Sequence, residues 1–164
     1  MIRPQSFRAY RSADEQAALA LINADRITGQ PTCTAAMLAE ALAGRSAIDS
    51  GWWAELESLT TEVLITETNE VAGVVSYARR SRDGTGLVLW LHGREIAEVV
   101  DALVLRALNA FHERPVHAFD FATPLGLGLE TLPVRHRPVT HAALLGAGFT
   151  PRPLWRYMWR PPAG

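Results

Sequence analysis

The feature that most constrains the fold is an apolar strand that leads directly into a long amphipathic helix, between Leu87 and Phe111. Residues 87–91 are apolar, and His92 and Gly93 form a polar turn. Apolar residues then recur at steps of three and four, the period of one helix face: Ile96, Val99, Val100, Leu103, Ala107 and Ala110. Such a junction leaves the first helix N–H groups unpaired beyond the end of the strand, which is the general geometry of a site for phosphates or other anions.

Length and composition indicate an ordinary globular chain. The 164 residues fit one domain, so we expect a single domain over residues 1–164. A hydrophobic content of 48% and a charged content of 20% are typical of soluble proteins. The net charge of −1 gives no field that would attract nucleic acid or an anionic membrane, so neither is an expected partner.

Residue usage excludes some chemistry and indicates a compartment. All 16 basic residues are arginines, so no lysine can form a Schiff base. Cys33 is the single cysteine and has no obvious activating group beside it, so we expect a passive thiol and a reducing compartment. No apolar leader follows Met1 and no apolar run approaches 18 residues, so we expect a cytoplasmic location.

The first third of the chain reads as a strand followed by helices. Residues 7–11 alternate as a strand, and the Ser12-x-x-Glu15 pattern predicts a capping box that opens a helix through Asn23. A second helix is predicted from Thr34 to Ala43, ended by a glycine. Residues 50–57 fit either a short helix or a loop that carries two tryptophans.

From Thr61 onward the period changes to two. Strands at 62–67, 71–80 and 87–91 form a predicted antiparallel meander that feeds the long helix. A strand at 115–121 then fits a parallel neighbour of strand 87–91, reached by a right-handed crossover. A short helix at 140–147 and a last strand at 154–160 complete an α/β fold with a mixed sheet.

Two patches in this order resemble the GCN5-related N-acetyltransferase (GNAT) superfamily. The segment His141-Ala-Ala-Leu-Leu-Gly-Ala-Gly-Phe-Thr150, followed by Trp155-Arg-Tyr-Met-Trp-Arg160, is similar to the family's late helix and strand. The turn at 67–75 resembles the family's second hairpin. The resemblance implies a central antiparallel meander with a V-shaped splay and flanking helices, and an acyl-CoA-dependent acyltransferase activity.

The resemblance places the acetyl-CoA pyrophosphate on the turn after the fourth strand, where the family pattern is Gln/Arg-x-x-Gly-x-Gly/Ala. That window is 92–97 here, with Ala97 at the last position and Glu95 in place of the first glycine. Either Gly93 and Arg94 serve the phosphates while Glu95 turns outward, or the turn is only a capped helix start. The implied cofactor-binding residues are Leu91, Gly93, Arg94, Glu95, Ile96 and Ala97.

Acyl transfer to an amine needs a base, and three side chains are candidates. His92 ends the fourth strand, Glu67 ends the second and could act through water, and His117 lies on the fifth. Each also has an ordinary structural reading. His117 and Asp120 are three residues apart and are expected on opposite strand faces, so they are not a predicted pair. The family's tyrosine acid position is Leu144, so the resemblance assigns no general acid.

The remaining candidates concern the acceptor, a metal and a partner subunit. Trp52 and Trp53 lie where the family binds its acceptor; the alternative is that one packs in the core and the other is exposed. The basic cluster at 135–137 is either a solvated loop or a phosphate contact. No histidine spacing fits a metal site, so none is expected. Aromatic residues at 155–159 share a strand face, which is either core or a homodimer surface.

The resemblance implies an acetyl-CoA-dependent N-acetyltransferase. Direct attack by a primary amine would transfer the acetyl group to a small-molecule or peptide acceptor, with the N–H of Leu91 or Gly93 polarising the thioester carbonyl. Because of Glu95 and Leu144, a different class stays open: a catalytically degenerate GNAT-fold module that serves binding or assembly.

Overall fold

The computed structural model describes residues 4–126 and 131–152, which form a five-stranded mixed sheet with helices on both faces. In chain order the elements are β1 (Pro4–Ala9), a 3₁₀ turn (Ser12–Asp14), α1 (Glu15–Ala24), α2 (Ala35–Leu42), α3 (Ser50–Ala54), β2 (Leu56–Thr66), β3 (Val71–Arg80), β4 (Gly86–His92), α4 (Ala97–Asn109), β5 (Val116–Ala118) and α5 (Pro138–Gly146). The strands lie in sequence order across the sheet.

The predicted meander and crossover are confirmed. Strands β1 to β4 pair antiparallel in succession, and β4 pairs parallel with β5, with Leu87 opposite His117. Helix α4 makes the crossover and packs with α5 on one face of the sheet, whereas α1, α2 and α3 cover the other face. The mixed α/β fold class predicted from the sequence is therefore correct.

Two local predictions about the helices have different outcomes. The glycine end predicted for the second helix is confirmed, because Gly44, directly after the C-cap Ala43 of α2, has a φ of +71°. The predicted Ser12–Glu15 capping box is wrong, because the Asp14 carboxylate accepts instead from the Arg11 N–H at 2.8 Å. Residues 50–57 resolve into α3 and the start of β2, and the predicted last strand at 154–160 lies outside the described residues.

The fifth strand is shorter than the predicted 115–121 and opens the sheet. Phe119 has a φ of +54°, which turns the chain out of extended conformation directly after Ala118. The last rung is the Phe119 N–H donating to the Val88 carbonyl at 3.0 Å. Strand β4 continues to His92 beyond this rung, so among the described residues the two strands part there.

A β-bulge in β4 redirects the backbone at that opening. Tyr77 pairs with Val88 and Ser76 pairs with Trp90, so Leu89 is the extra residue. As a result Leu89 and Trp90 both pack on the face covered by α1. The Leu91 carbonyl accepts from the side chain of Arg137, which lies beyond the sheet.

Helix α4 approaches the sheet closely because β3 carries a glycine at the contact. A Cβ on Gly73 would lie 2.8 Å from Cγ1 of Val99 and 3.0 Å from Cδ1 of Leu103, both buried on α4. We expect Gly73→Ala to lower the free energy of unfolding by about 1–3 kcal/mol through overpacking. Gly51→Ala is the control, because a Cβ there meets nothing within 4 Å. Urea unfolding that gives both variants equal midpoints would contradict this account of the packing.

Candidate active site

A cavity of about 70 Å³ lies beside the last residues of β4. Its walls come from the end of α1, the stretch Leu89 to His92, the segment after β5, and the segment that precedes α5. Elements distant in sequence therefore meet where β4 and β5 part. Polar or charged side chains at this cavity include Asp25, His92 and Arg137.

His92 and Asp25 form a hydrogen-bonded pair in this cavity. Nδ1 of His92 lies 2.7 Å from Oδ2 of Asp25, and both side chains are largely buried. Burial lowers the pKa of His92 to about 4; the bond to Asp25 opposes this shift, and the charge of Arg137 adds to it. The imidazole is therefore neutral at pH 7. A carboxylate acceptor at Nδ1 favours the tautomer with the proton there, which leaves the Nε2 lone pair available to accept a proton.

Arg137 joins the strand, the turn and helix α1. Its side chain is 4% exposed, and Nη2 donates to the Leu91 carbonyl at 2.8 Å. Nε donates to Oε1 of Glu95 at 3.2 Å, and Nη2 lies 3.5 Å from Oδ2 of Asp25. The guanidinium therefore holds the position of both the carboxylate that orients His92 and the backbone at the opening.

Glu95 caps helix α5 from a distant part of the chain. Its Oε2 accepts from the backbone N–H groups of Val139 at 2.7 Å and Thr140 at 3.0 Å, and Oε1 accepts from the Thr140 hydroxyl. Pro138 at the start of α5 has no N–H, so these are the first N–H groups that the helix offers. The carboxylate is thus directed toward α5, not toward the start of α4.

The first turn of α4 keeps free donors. No side chain caps this helix, and the N–H groups of residues 97–99 have no acceptor within the described part of the chain. Gly93 is required by packing, since a Cβ there would lie 2.7 Å from Cγ1 of Val99. Arg94 is exposed in the same turn. Five of the six implied cofactor-binding residues therefore lie at the junction of β4 and α4: Leu91, Gly93, Arg94, Ile96 and Ala97. The side chain of Glu95 is directed away from this junction, toward α5.

Two predicted bases lie elsewhere. Glu67 is exposed in the turn between β2 and β3, and among the described residues neither it nor His117 lines the cavity. The expectation that His117 and Asp120 do not pair is wrong: Nδ1 of His117 lies 3.2 Å from Oδ2 of Asp120. The positive φ of Phe119 breaks the strand alternation between them and returns Asp120 toward His117.

The two tryptophans stand behind the cavity wall. Trp53 is buried and its Nε1 donates to the Ala122 carbonyl at 3.0 Å, whereas Trp52 is 41% exposed. Both rings contact Phe121, which itself lines the cavity. The structure thus has the arrangement of one core tryptophan and one exposed tryptophan.

Several residues of the site had no strong sequence signal. Asp25 and Arg26 follow the predicted end of a helix, and Trp90 reads as one apolar strand residue among others. Arg137 belongs to the basic cluster at 135–137, and its position directly before a helix-opening proline was the available signal. Leu144, in the family's acid position, is buried against α4.

The comparisons with known proteins bear on the fold. No protein-family model and no curated protein matches the sequence. A solved structure described as a "putative phosphinothricin N-acetyltransferase" superposes with a TM-score of 0.57, at 19% identity, over 88% of this chain and 82% of that chain. The fold is GNAT-like. None of the described helices is long and apolar enough to cross a membrane.

The capping role of Glu95 can be separated from the strain of its backbone. Arg94 and Glu95 have φ values of +54° and +53°, so glycine relieves backbone strain at either position. We expect Glu95→Gly to lower the free energy of unfolding by about 1–3 kcal/mol, because the cap and the partner of Arg137 are both lost. The matched control Arg94→Gly should be neutral or stabilising. Equal urea midpoints for the two variants would contradict the capping role.

Proposed function

We propose that this protein is an acyl-CoA-dependent N-acetyltransferase that transfers an acetyl group from acetyl-CoA to a primary amine. The observation that carries the proposal is a neutral, carboxylate-held imidazole beside the opening between β4 and β5. The GNAT-like fold supports the proposal, because the similar solved structure is described as an N-acetyltransferase.

In the proposed mechanism His92 is the base. Nε2 accepts a proton from the ammonium form of the acceptor, and the neutral amine nitrogen then attacks the thioester carbonyl carbon. The new C–N bond forms as the C–S bond breaks, and the sulfur leaves as the thiolate of CoA. The extra proton on the amide nitrogen passes to this thiolate or to solvent. Because Leu144 is apolar and buried, no acid for the thiolate is assigned at that position.

The backbone of β4 is the proposed site for the thioester oxygen. The Leu91 carbonyl bonds Arg137 beyond the sheet, and the N–H and C=O of one strand residue point to the same side. The Leu91 N–H therefore also faces the opening, where it can stabilise negative charge that develops on the carbonyl oxygen. Gly93 offers a second N–H two residues farther along the chain.

The turn after β4 is the proposed pyrophosphate site. The N–H groups of residues 97–99 point off the start of α4 without an acceptor among the described residues, and Arg94 is exposed beside them. Glu95 does not oppose an anion there, because its carboxylate is bonded to Val139 and Thr140.

A carboxylate introduced at the first residue of α4 tests this site. We expect Ala97→Asp to weaken acetyl-CoA binding at least tenfold, about 1.4 kcal/mol, because it competes with the phosphates. The unfolding midpoint should stay or rise, since an acid at a helix start is stabilising by about 0.3–1 kcal/mol. Ala97→Asn is the neutral control. Calorimetry that detects no binding of acetyl-CoA to the unmodified protein at millimolar ligand would contradict the proposed function.

The proposed base has a distinctive pH behaviour. We expect His92→Gln to lower kcat by about 10²–10⁴-fold while acetyl-CoA affinity is unchanged, with His112→Gln at an exposed histidine as control. Since the pKa of His92 is about 4 in the folded protein, kcat/KM should show no titration near pH 6.5. A His92→Gln variant with unmodified kcat would show that another group takes the proton.

The same pKa predicts a stability difference that does not depend on turnover. Between pH 6.5 and about 4 the unfolded chain binds a proton at His92 that the folded chain does not, so the unmodified protein loses stability as the pH falls through this window. His92→Gln should remove this loss, which amounts to about 3 kcal/mol at its lower end. Urea unfolding at several pH values measures the difference.

One observation favours the alternative of a noncatalytic binding or assembly module. Glu95 replaces the family glycine and serves the packing of α5, a structural role that needs no cofactor. Binding of acetyl-CoA together with acetyl transfer to any member of an amine panel would exclude this alternative. Binding without transfer would favour it.

A further inference from the structure

Arg26 is a partly buried cation that lacks a carboxylate partner. Its Nη1 donates to the Leu125 carbonyl, while Nε and Nη2 are buried without any acceptor among residues 4–126 and 131–152. In the same part of the chain, the other arginines that are not exposed each have a carboxylate within ion-pair distance: Arg8, Arg79, Arg80 and Arg137. Arg26 therefore differs from every comparable arginine of the described structure.

The neighbours of Arg26 do not neutralise it. A buried cation without a counter-ion is unfavourable unless an anion or hydrogen-bond acceptors offset its desolvation. The thiol of Cys33 lies beside the guanidinium, but burial raises the pKa of Cys33, so the sulfur is uncharged at neutral pH. The adjacent carboxylate of Asp25 is already engaged by His92 and Arg137.

The cavity next to the proposed base is lined by donors that have no partner. Among the described residues, its charged lining consists of Arg26, Arg137 and Asp25. Arg137 lies within ion-pair distance of both Asp25 and Glu95, whereas no carboxylate of the described chain lies at that distance from Arg26. Trp90 also lines the cavity, is 2% exposed, and has an indole N–H without an acceptor in the described chain. The unsatisfied donors of Arg26 and Trp90, one of them a guanidinium that no carboxylate pairs, favour a ligand with anionic oxygens.

The size of the cavity favours a small ligand. Its volume is about 70 Å³. A single water molecule needs roughly 10–15 Å³ on the same measure, so the space accommodates only a few heavy atoms. An amine and an anionic group must then lie close together in any ligand that reaches both His92 and Arg26.

We propose that this cavity binds an acceptor that carries a carboxylate close to its amine, an amino acid or a similarly small amino carboxylate, with Arg26 as the counter-ion of the carboxylate. The assignment of an acceptor rests on the proposed acetyltransferase function. Arg26 is thereby a residue that determines specificity: it selects the anionic acceptor and leaves the amine for Nε2 of His92.

The test compares the binding of amino acids with the binding of their carboxamides. Calorimetry measures binding of the common L-amino acids, each paired with its carboxamide, to the unmodified protein and to Arg26→Gln. We expect at least one amino acid to bind tenfold or more tightly than its carboxamide, and Arg26→Gln to reduce that ratio to within about threefold. Arg26→Lys should give an intermediate ratio, because it keeps the charge and loses the planar fork. Arg11→Gln, at an exposed arginine, is the matched control and should keep the full ratio.

The outcomes separate this inference from the proposed function. Equal binding of acids and amides, no binding of any amino acid, or an unchanged ratio in Arg26→Gln would overturn the role of Arg26. Acetyl transfer to uncharged amines without preference for acids would keep the proposed function and overturn this inference. Acid-selective binding that depends on Arg26, without transfer, would keep this inference and remove the proposed function.

Discussion

The arrangement of the site depends on the contact between the Glu95 carboxylate and the first turn of α5. This contact joins the turn after β4 to a helix that begins more than 40 residues later, through two backbone N–H groups, a hydroxyl and Arg137. The N–H groups at a helix start need acceptors when they are removed from water. Glu95 supplies the acceptor for α5, and so the start of α5 is fixed against the strand that carries His92.

Arg137 extends this contact into the cavity. One guanidinium bonds Glu95, the Leu91 carbonyl and, at a longer distance, Asp25. The carboxylates of Asp25 and Glu95 therefore share one buried cation. Asp25 in turn fixes the tautomer of His92. The orientation of the proposed base is thus coupled, through three side chains, to the cap of a helix on the opposite face of the sheet.

The sequence predicted those parts of the structure that depend on local periodicity and caps. The meander, α4 and the end of α2 follow from alternation, helical spacing and Gly44, and all three are present. It did not predict pairings between distant residues: His92 meets Asp25 across 67 positions, and neither residue's own neighbourhood indicates the other. The His117–Asp120 pair failed for a different reason. Phe119 has a positive φ, which reverses the expected alternation of side chains along the strand. A phenylalanine in the sequence does not indicate a positive φ.

The replacement of the family glycine by Glu95 has a physical explanation that leaves anion binding intact. A non-glycine residue with φ of +53° is strained by about 1–2 kcal/mol. A side-chain cap contributes about 0.5–2 kcal/mol, and hydrogen bonds to a charged group contribute about 1.5–3 kcal/mol each, so the contacts with α5 outweigh that strain. The negative charge of Glu95 also lies at the start of α5, where the carboxylate accepts from the first N–H groups of that helix. What the start of α4 offers an anion is then set by its own N–H groups, which no glycine at position 95 would change.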